Sequence, residues 1–385
     1  MPAKILSRYL FLWLVATAVA LTTARSAEAA GDPVRGDLRT ALAELAGELQ
    51  GLLNDQSETT IAVGQFSGPP NLPTSAGPGF AQTLAEELQK KGVKVKARAK
   101  LGVKGEYRLT EVPSENADDA RLGVKVLALR VKVAVENEFG ADLVNANFVR
   151  TIRDESAVSK ALGLSAVLPA SGSERERDAS LRSAVAEPQA AITGSVLRAQ
   201  AASPYGIEVL VDDKPRAAES NEGLPFVKIE RGSTYAVRLI NDSKREAAVQ
   251  LTIDGLSMYA FSELRQTDGP AKGQPRYSTV IVPAGKSVVI HGWHVNNEKT
   301  DRFLVTEYAK SAAATLSHTN GVGTITATFQ VSWPEGEAAP SDEPGKRRGG
   351  AGDATGFGPR IDVKFQEVKR NLGVIRDTVS VRYAK

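Results

Sequence analysis

The sequence predicts an α+β chain of two folded domains, a small α/β domain followed by an antiparallel β-sandwich of immunoglobulin-like or jelly-roll-like form. Three observations predict it. First, 385 residues, 42% hydrophobic and 24% charged, can bury two cores. Second, between residues 37 and 165, apolar residues at helical spacing alternate with runs of period two. Third, from Tyr205 onward the pattern is β with short turns. Tyr235, Val237 and Leu239 share one face of an extended chain, and Val249, Leu251 and Ile253 share one face of the next.

Composition excludes several classes of function. The net charge is +3, and it falls to +1 once the first 29 residues, with Lys4, Arg8 and Arg25 against Glu28, are set aside. Without a basic stripe, nucleic acid gains little from counterion release, so no nucleic-acid partner is expected. The chain has no cysteine. That removes disulfides, thiolate zinc sites, thiol nucleophiles and a lipid-bearing cysteine. Residues 1–29 read as a secretory signal: a charged start at Lys4 and Arg8, an apolar run from Tyr9 to Leu21, and the small-x-small site Ala27, Glu28, Ala29. That run is shorter than the roughly 18 to 20 residues that cross a bilayer, and no transmembrane segment is expected in the mature chain.

The α/β domain is expected over 37–165. Asp37 is placed to cap a helix running to about Asn54, because Leu38, Leu42, Leu45, Leu49 and Leu53 recur at three- and four-residue spacing. The same Asp37 completes an Arg35-Gly36-Asp37 tripeptide that matches an adhesion signal, and the cap is its better use. Thr59 to Phe66 is a strand, and the Pro- and Gly-rich stretch Ser67 to Gly79 is a loop. A second helix starts at Phe80 and stops at Gly92. Val93 to Arg98 and Gly105 to Val112 are strands, with a polar loop from Pro113 to Ala120. Val124 to Glu136 then pairs through the turn Glu138 to Asp142 with the strand bearing Val144, Ala146 and Phe148.

That order of elements resembles the α/β domain of curli-secretion-channel proteins, flagellar outer-membrane accessory proteins and the TolB amino-terminal domain. The residues that carry the likeness are Ile61 to Phe66, Gly79 to Arg98, Val103 to Tyr107 and Leu127 to Arg150. The resemblance implies work at the bacterial cell envelope. There is no lipid-anchor cysteine and no membrane-inserting hairpin of alternating apolar residues, so it does not extend to pore formation. The whole chain also resembles a family of secreted bacterial proteins of unknown function.

Residues 166–204 are expected to be a charged linker with a short helix, Ala179 to Ala186. The sandwich follows over 205–385 with about eleven strands, a tight turn at Pro283 to Lys286, and an Ala-rich helix from Glu307 to Leu316. Pro334 to Pro359, rich in Gly, Pro and charge, is expected to be a mobile loop.

Candidate chemistry is sparse. His291 and His294, with Glu298 and Asp301 nearby, form the best acid/base or metal cluster. In a continuous strand residues three apart face opposite ways, so both imidazoles meet one ion only if Gly292 breaks the strand. Ala284 to Ser287 matches the end of a phosphate-binding loop, but Val280 stands where its leading glycine belongs. Gly255 to Tyr259 lacks the second glycine of a nucleophile elbow, and Asp254-Gly255 is a hairpin turn. The pairs Asp212-Asp213 and Glu86-Glu87 diverge, on a helix by about 100°. Tyr259, Phe261, Trp293 and Trp333 either fill the core or line a ligand surface.

These readings point to an exported, non-enzymatic binding or assembly protein of the cell envelope, periplasmic or extracellular. No cofactor, metal site or catalytic residue is assigned to it. The expected partner is an envelope protein or a polysaccharide, met through the loop at Ser67 to Gly79 or the basic residues Lys346 to Arg348. The alternatives are a secreted hydrolase with its site at residues 291–301 and a carbohydrate-binding module using Trp293.

Overall fold

The computed structural model describes residues 34–70, 72, 74–269, 271–305, 322–343, 352–357 and 365–384. The expected signal at 1–29, the helix at Glu307 to Leu316 and the basic residues Lys346 to Arg348 lie outside them. The chain is mostly β, with several sheets. No helix of the described residues is long and apolar enough to cross a membrane.

The first part runs β1 (Val34–Arg35), α1 (Leu38–Asp55), β2 (Thr60–Ser67), α2 (Gly77–Lys90), β3 (Lys94–Val95), β4 (Leu101–Pro113), α3 (Ala117–Arg121), β5 (Lys125–Asn137) and β6 (Asp142–Ile152). Asp37 caps α1 by accepting from the Thr40 N–H at 2.7 Å. The six strands lie in the order β1-β6-β5-β4-β2-β3. The leucines of α1 and α2 pack on Leu129, Val131, Val133 and Val135 of β5. Three details differ from expectation. Helix α2 begins at Gly77, before Phe80, because Pro78 fits a first helical turn whose N–H groups have no partner in any case. The Val93 to Arg98 strand shrinks to two residues. The polar loop holds α3, capped by Asn116.

Residues 166–204 do not leave the fold. After α4 (Glu155–Leu162), which sequence reading missed, come β7 (Ala166–Val167), α5 (Glu174–Ala186), β8 (Ala191–Thr193) and β9 (Val196–Arg198). Helix α5 starts five residues before the expected helix because Ser173 and Glu176 close a capping box. Leu181 and Ala184 pack with Leu168, Ile375 and Leu127.

The chain continues through β10 (Tyr205–Val211), β11 (Lys214–Pro215), β12 (Glu219–Asn221), β13 (Leu224–Val227), β14 (Thr234–Asn241), β15 (Ala247–Ile253), β16 (Leu256–Ser257) and β17 (Thr279–Val282). It closes with β18 (Lys286–Ile290), β19 (Gly292–Asn296), β20 (Lys299–Leu304), β21 (Val322–Pro334), β22 (Gly352–Phe357) and β23 (Phe365–Ala384). One sheet runs β19-β20-β14-β10-β9-β8, with β11 on β10 and β18 on β14. The other runs β12-β13-β23-β21-β15-β17-β22, with β16 on β15 and β7 on β23. Val237 and Leu239 of the first share one core with Val249, Leu251, Phe329 and Val381 of the second. The turn at Pro283 to Lys286 therefore carries the chain from one sheet to the other.

One expectation is corrected and one segment gains described pairing. The second sheet is not purely antiparallel, since β13 pairs parallel with β23 and β22 parallel with β17. Within Pro334 to Pro359 the described residues include β22 and, before it, Glu343. The twenty residues of β23 offer an edge on which a Gly-rich segment finds main-chain partners, and Glu343 accepts from Arg376 and from the Val374 N–H. Composition records the lack of apolar side chains but not that pairing. Pro33–Lys385 forms one compact unit.

Candidate functional site

The site is built on the outer face of the second sheet. Alternation in β15, β21 and β23 sends Val249, Ile325 and Val379 inward, and sends Gln250, Thr328 and Thr378 outward in one cross-strand row. Thr252, Thr326 and Ser380 form the next row. A polar face of this kind ordinarily meets water. Here Thr326, Thr328, Thr378 and Ser380 are fully buried.

The cover is α4 and the turn after it. The Thr74 hydroxyl donates to the Ala161 carbonyl at 2.7 Å, Arg382 Nη2 to the Leu162 carbonyl at 3.1 Å, and the Ser380 hydroxyl to the Leu164 carbonyl at 3.3 Å. Gly163 ends α4 at φ +59°, and a Cβ there would lie 2.6 Å from the Thr324 methyl. A left-handed cap and a close approach both require glycine.

A second seat lies at the β15–β16 turn. Asp254 and Gly255 have φ of +53° and +77°, the left-handed pair of the expected hairpin turn. Asp254 accepts at Oδ1 from the Ser75 hydroxyl at 2.5 Å and the Thr324 N–H at 2.9 Å, and at Oδ2 from the Tyr383 hydroxyl at 3.1 Å. A Cβ on Gly79 would sit 2.1 Å from the Gly255 carbonyl oxygen. Helix α2 thus rests directly on the turn's backbone.

Between the covering elements and the sheet opens a cavity of about 640 Å³. Asp154, which caps α4, and Ser156 and Lys160 of that helix form one wall, Gln250, Gln330 and Trp333 of the sheet another. Leu372 and Val374, at an irregular part of the β21–β23 pairing, add apolar surface. Lys160 Nζ donates to Gln250 Oε1. Recessed among protein atoms yet open to the cavity, Lys160 is pushed below the usual lysine range by loss of hydration, which the attraction of Asp154 partly offsets. Desolvation raises Asp154 in turn, against Lys160 and the N–H groups of Ser156 and Ala157.

The cluster at 291–301 is dispersed. The chain does change partner between Ile290 and Gly292, β18 pairing with β14 and β19 with β20. His291 is half-buried, its Nδ1 4.0 Å from Asp213 Oδ1. His294 is buried, its Nδ1 3.1 Å from the Ser262 hydroxyl and its ring enclosed by Tyr259, Tyr277 and Phe365. Burial holds its imidazole below the usual range. Among the described residues no group of three His, Cys, Asp or Glu side chains is arranged to hold a metal ion.

The aromatic residues divide. Tyr259 belongs to the core, Trp293 is half-buried against Phe261 and Phe303, and Trp333 lines the cavity. Asp212 and Asp213 form the left-handed turn between β10 and β11. Glu86 and Glu87 both receive Arg39. Comparison with protein-family models, curated proteins and solved structures gives no match to this chain. Sequence reading singled out Trp333, and Asp37 only as a helix cap; Lys160, Gln250 and Gln330 escaped it. Their one signal is glutamine at outward positions of apolar strands, where residues facing water need no amide.

Proposed function

We propose that the protein is an exported, non-enzymatic binding or assembly protein of the bacterial cell envelope, built as an α/β part and a β-sandwich, and that its ligand occupies the cavity beside Lys160. The observation that carries this reading is the cavity itself. At about 640 Å³ it falls within the range of small-molecule sites, roughly 300 to 1,000 Å³. Polar groups, an aromatic ring and aliphatic side chains converge on it from separate parts of the chain.

Filling the cavity tests the reading. Gln330→Trp places a large ring in it without touching the core face of β21. Native mass spectrometry of the full chain after incubation with a bacterial envelope extract is expected to show a bound small molecule that Gln330→Trp loses. An identical adduct on both proteins, or none on either, would remove the cavity from the function.

A further inference from the structure

The carboxylates lining the cavity already have partners. Glu155 receives Arg177, Asp178 receives Arg182 and the Leu127 N–H, and Glu343 receives Arg376. Glu115 lies 2.8 Å and Glu174 3.9 Å from Arg153 nitrogens. Asp37 and Asp154 cap helices by accepting from the N–H groups of Thr40 and Ser156. The cation on the wall stands differently. Among the described residues Lys160 makes one hydrogen bond, to a neutral amide oxygen, and no ion pair. An ammonium has three N–H donors, and a single amide leaves two for something else. Asp154 attracts Lys160 from across the same wall but makes no ion pair with it, so the ammonium keeps donors to give to a ligand.

Resting on the ligand-binding reading above, we propose that the cavity takes a small organic carboxylate, its anionic head paired with Lys160 and its apolar body laid against Trp333, Leu372 and Val374. The head is specified by charge. The ion pair gains because the ammonium has already lost much of its hydration on folding, so the ligand restores interactions that the free protein lacks. The body is specified by the wall, an indole beside two aliphatic side chains. Because Lys160 titrates below the usual lysine range, carboxylate affinity falls with rising pH before ordinary lysines lose their protons.

Three probes with one body and different heads provide the test: 4-phenylbutyrate, 4-phenylbutyramide and 4-phenylbutylamine. Trp333 is the reporter in the full chain carrying Trp13→Phe and Trp293→Phe. The expected result is saturable quenching by the carboxylate at a Kd about tenfold or more below that of the amide, a preference that Lys160→Met abolishes and Lys160→Arg keeps. Lys160→Met removes a poorly hydrated charge, so folding is expected to survive, and the circular dichroism of each variant checks it. Saturable binding in which the amide or amine equals the carboxylate, or a preference that persists in Lys160→Met, overturns the carboxylate and leaves the cavity as a site. Absence of any Trp333 response to all three probes overturns both.

Discussion

Asp377 and His294 are buried groups whose titration works on stability in opposite directions. Burial pushes the Asp377 carboxyl up to about 7, although the Ser203 hydroxyl donates to it and Arg198 attracts it. The folded state therefore keeps its proton after the unfolded chain has lost it near pH 4. The resulting destabilisation is absent below that pH, grows as pH rises to about 7, and is constant above. His294 has its pKa lowered, so the unfolded chain takes up the proton first and stability falls as pH drops below about 6.5. Asp377→Asn keeps the shape and an acceptor for Ser203. It is expected to stabilise the protein by on the order of 3 kcal/mol at pH 8, by much less at pH 5, and to leave the acid-side loss from His294 in place. Urea unfolding at the two pH values measures this, and an equal effect at both would show that Asp377 does not hold its proton.

At the scale of elements, the contact of α2 with the β15–β16 turn is made by backbone against backbone. Gly79→Ala forces apart two main-chain segments with no flexible side chain to yield, and a cost of about 2 to 4 kcal/mol is expected from overpacking at a rigid contact. Gly51→Ala is the control, since a Cβ there meets nothing within 4 Å and removes a helix-interior glycine. It is expected to stabilise by about 0.5 to 1 kcal/mol, and thermal unfolding of the pair gives both signs. Elements of this kind differ in how far sequence reveals them. Helix α1 was legible because its leucine period and Asp37 cap agree, and the β5–β6 hairpin because both strands keep period two. Helix α4 was not legible. Its eight residues carry four polar or charged groups, Glu155, Ser156, Ser159 and Lys160, which suit a half-buried polar face and resemble a surface loop when read alone. The outward row Gln250, Thr328 and Thr378 was readable as the polar face of a sheet, but what covers it comes from residues ninety or more positions away. The cavity inherits that difficulty: Lys160, Gln250 and Trp333 are brought together only by the docking of α4.

At the scale of the whole molecule, hydroxyls, a carboxylate and a guanidinium join the six-stranded sheet to the nine-stranded one. Ser75, Asp254, Ser380 and Arg382 make the crossing hydrogen bonds, and Leu224 and Phe226 of β13 add an apolar contact to the core of the six-stranded sheet. Polar junctions ordinarily permit relative motion, because water can replace their partners when they open. This one is sealed: Asp254, Thr326, Ser380 and Arg382 are buried, and opening would expose groups matched by geometry to one another. Helix α5 adds a second tie, holding β5 and β23 through Leu181 and Ala184. The two sheets are therefore expected to open together. Native-state hydrogen exchange should give the amides of β5 and β21 the same opening free energy, close to that of global unfolding. Asp254→Ala removes the acceptor shared by Ser75, Thr324 and Tyr383, leaving buried donors unmatched at about 1 to 3 kcal/mol. In that variant the β5 and β21 amides should still agree if α5 alone suffices to couple the sheets. If Asp254 is the main tie they should separate, and the ligand cavity, whose walls belong to both sides, should lose its probe affinity in the same step.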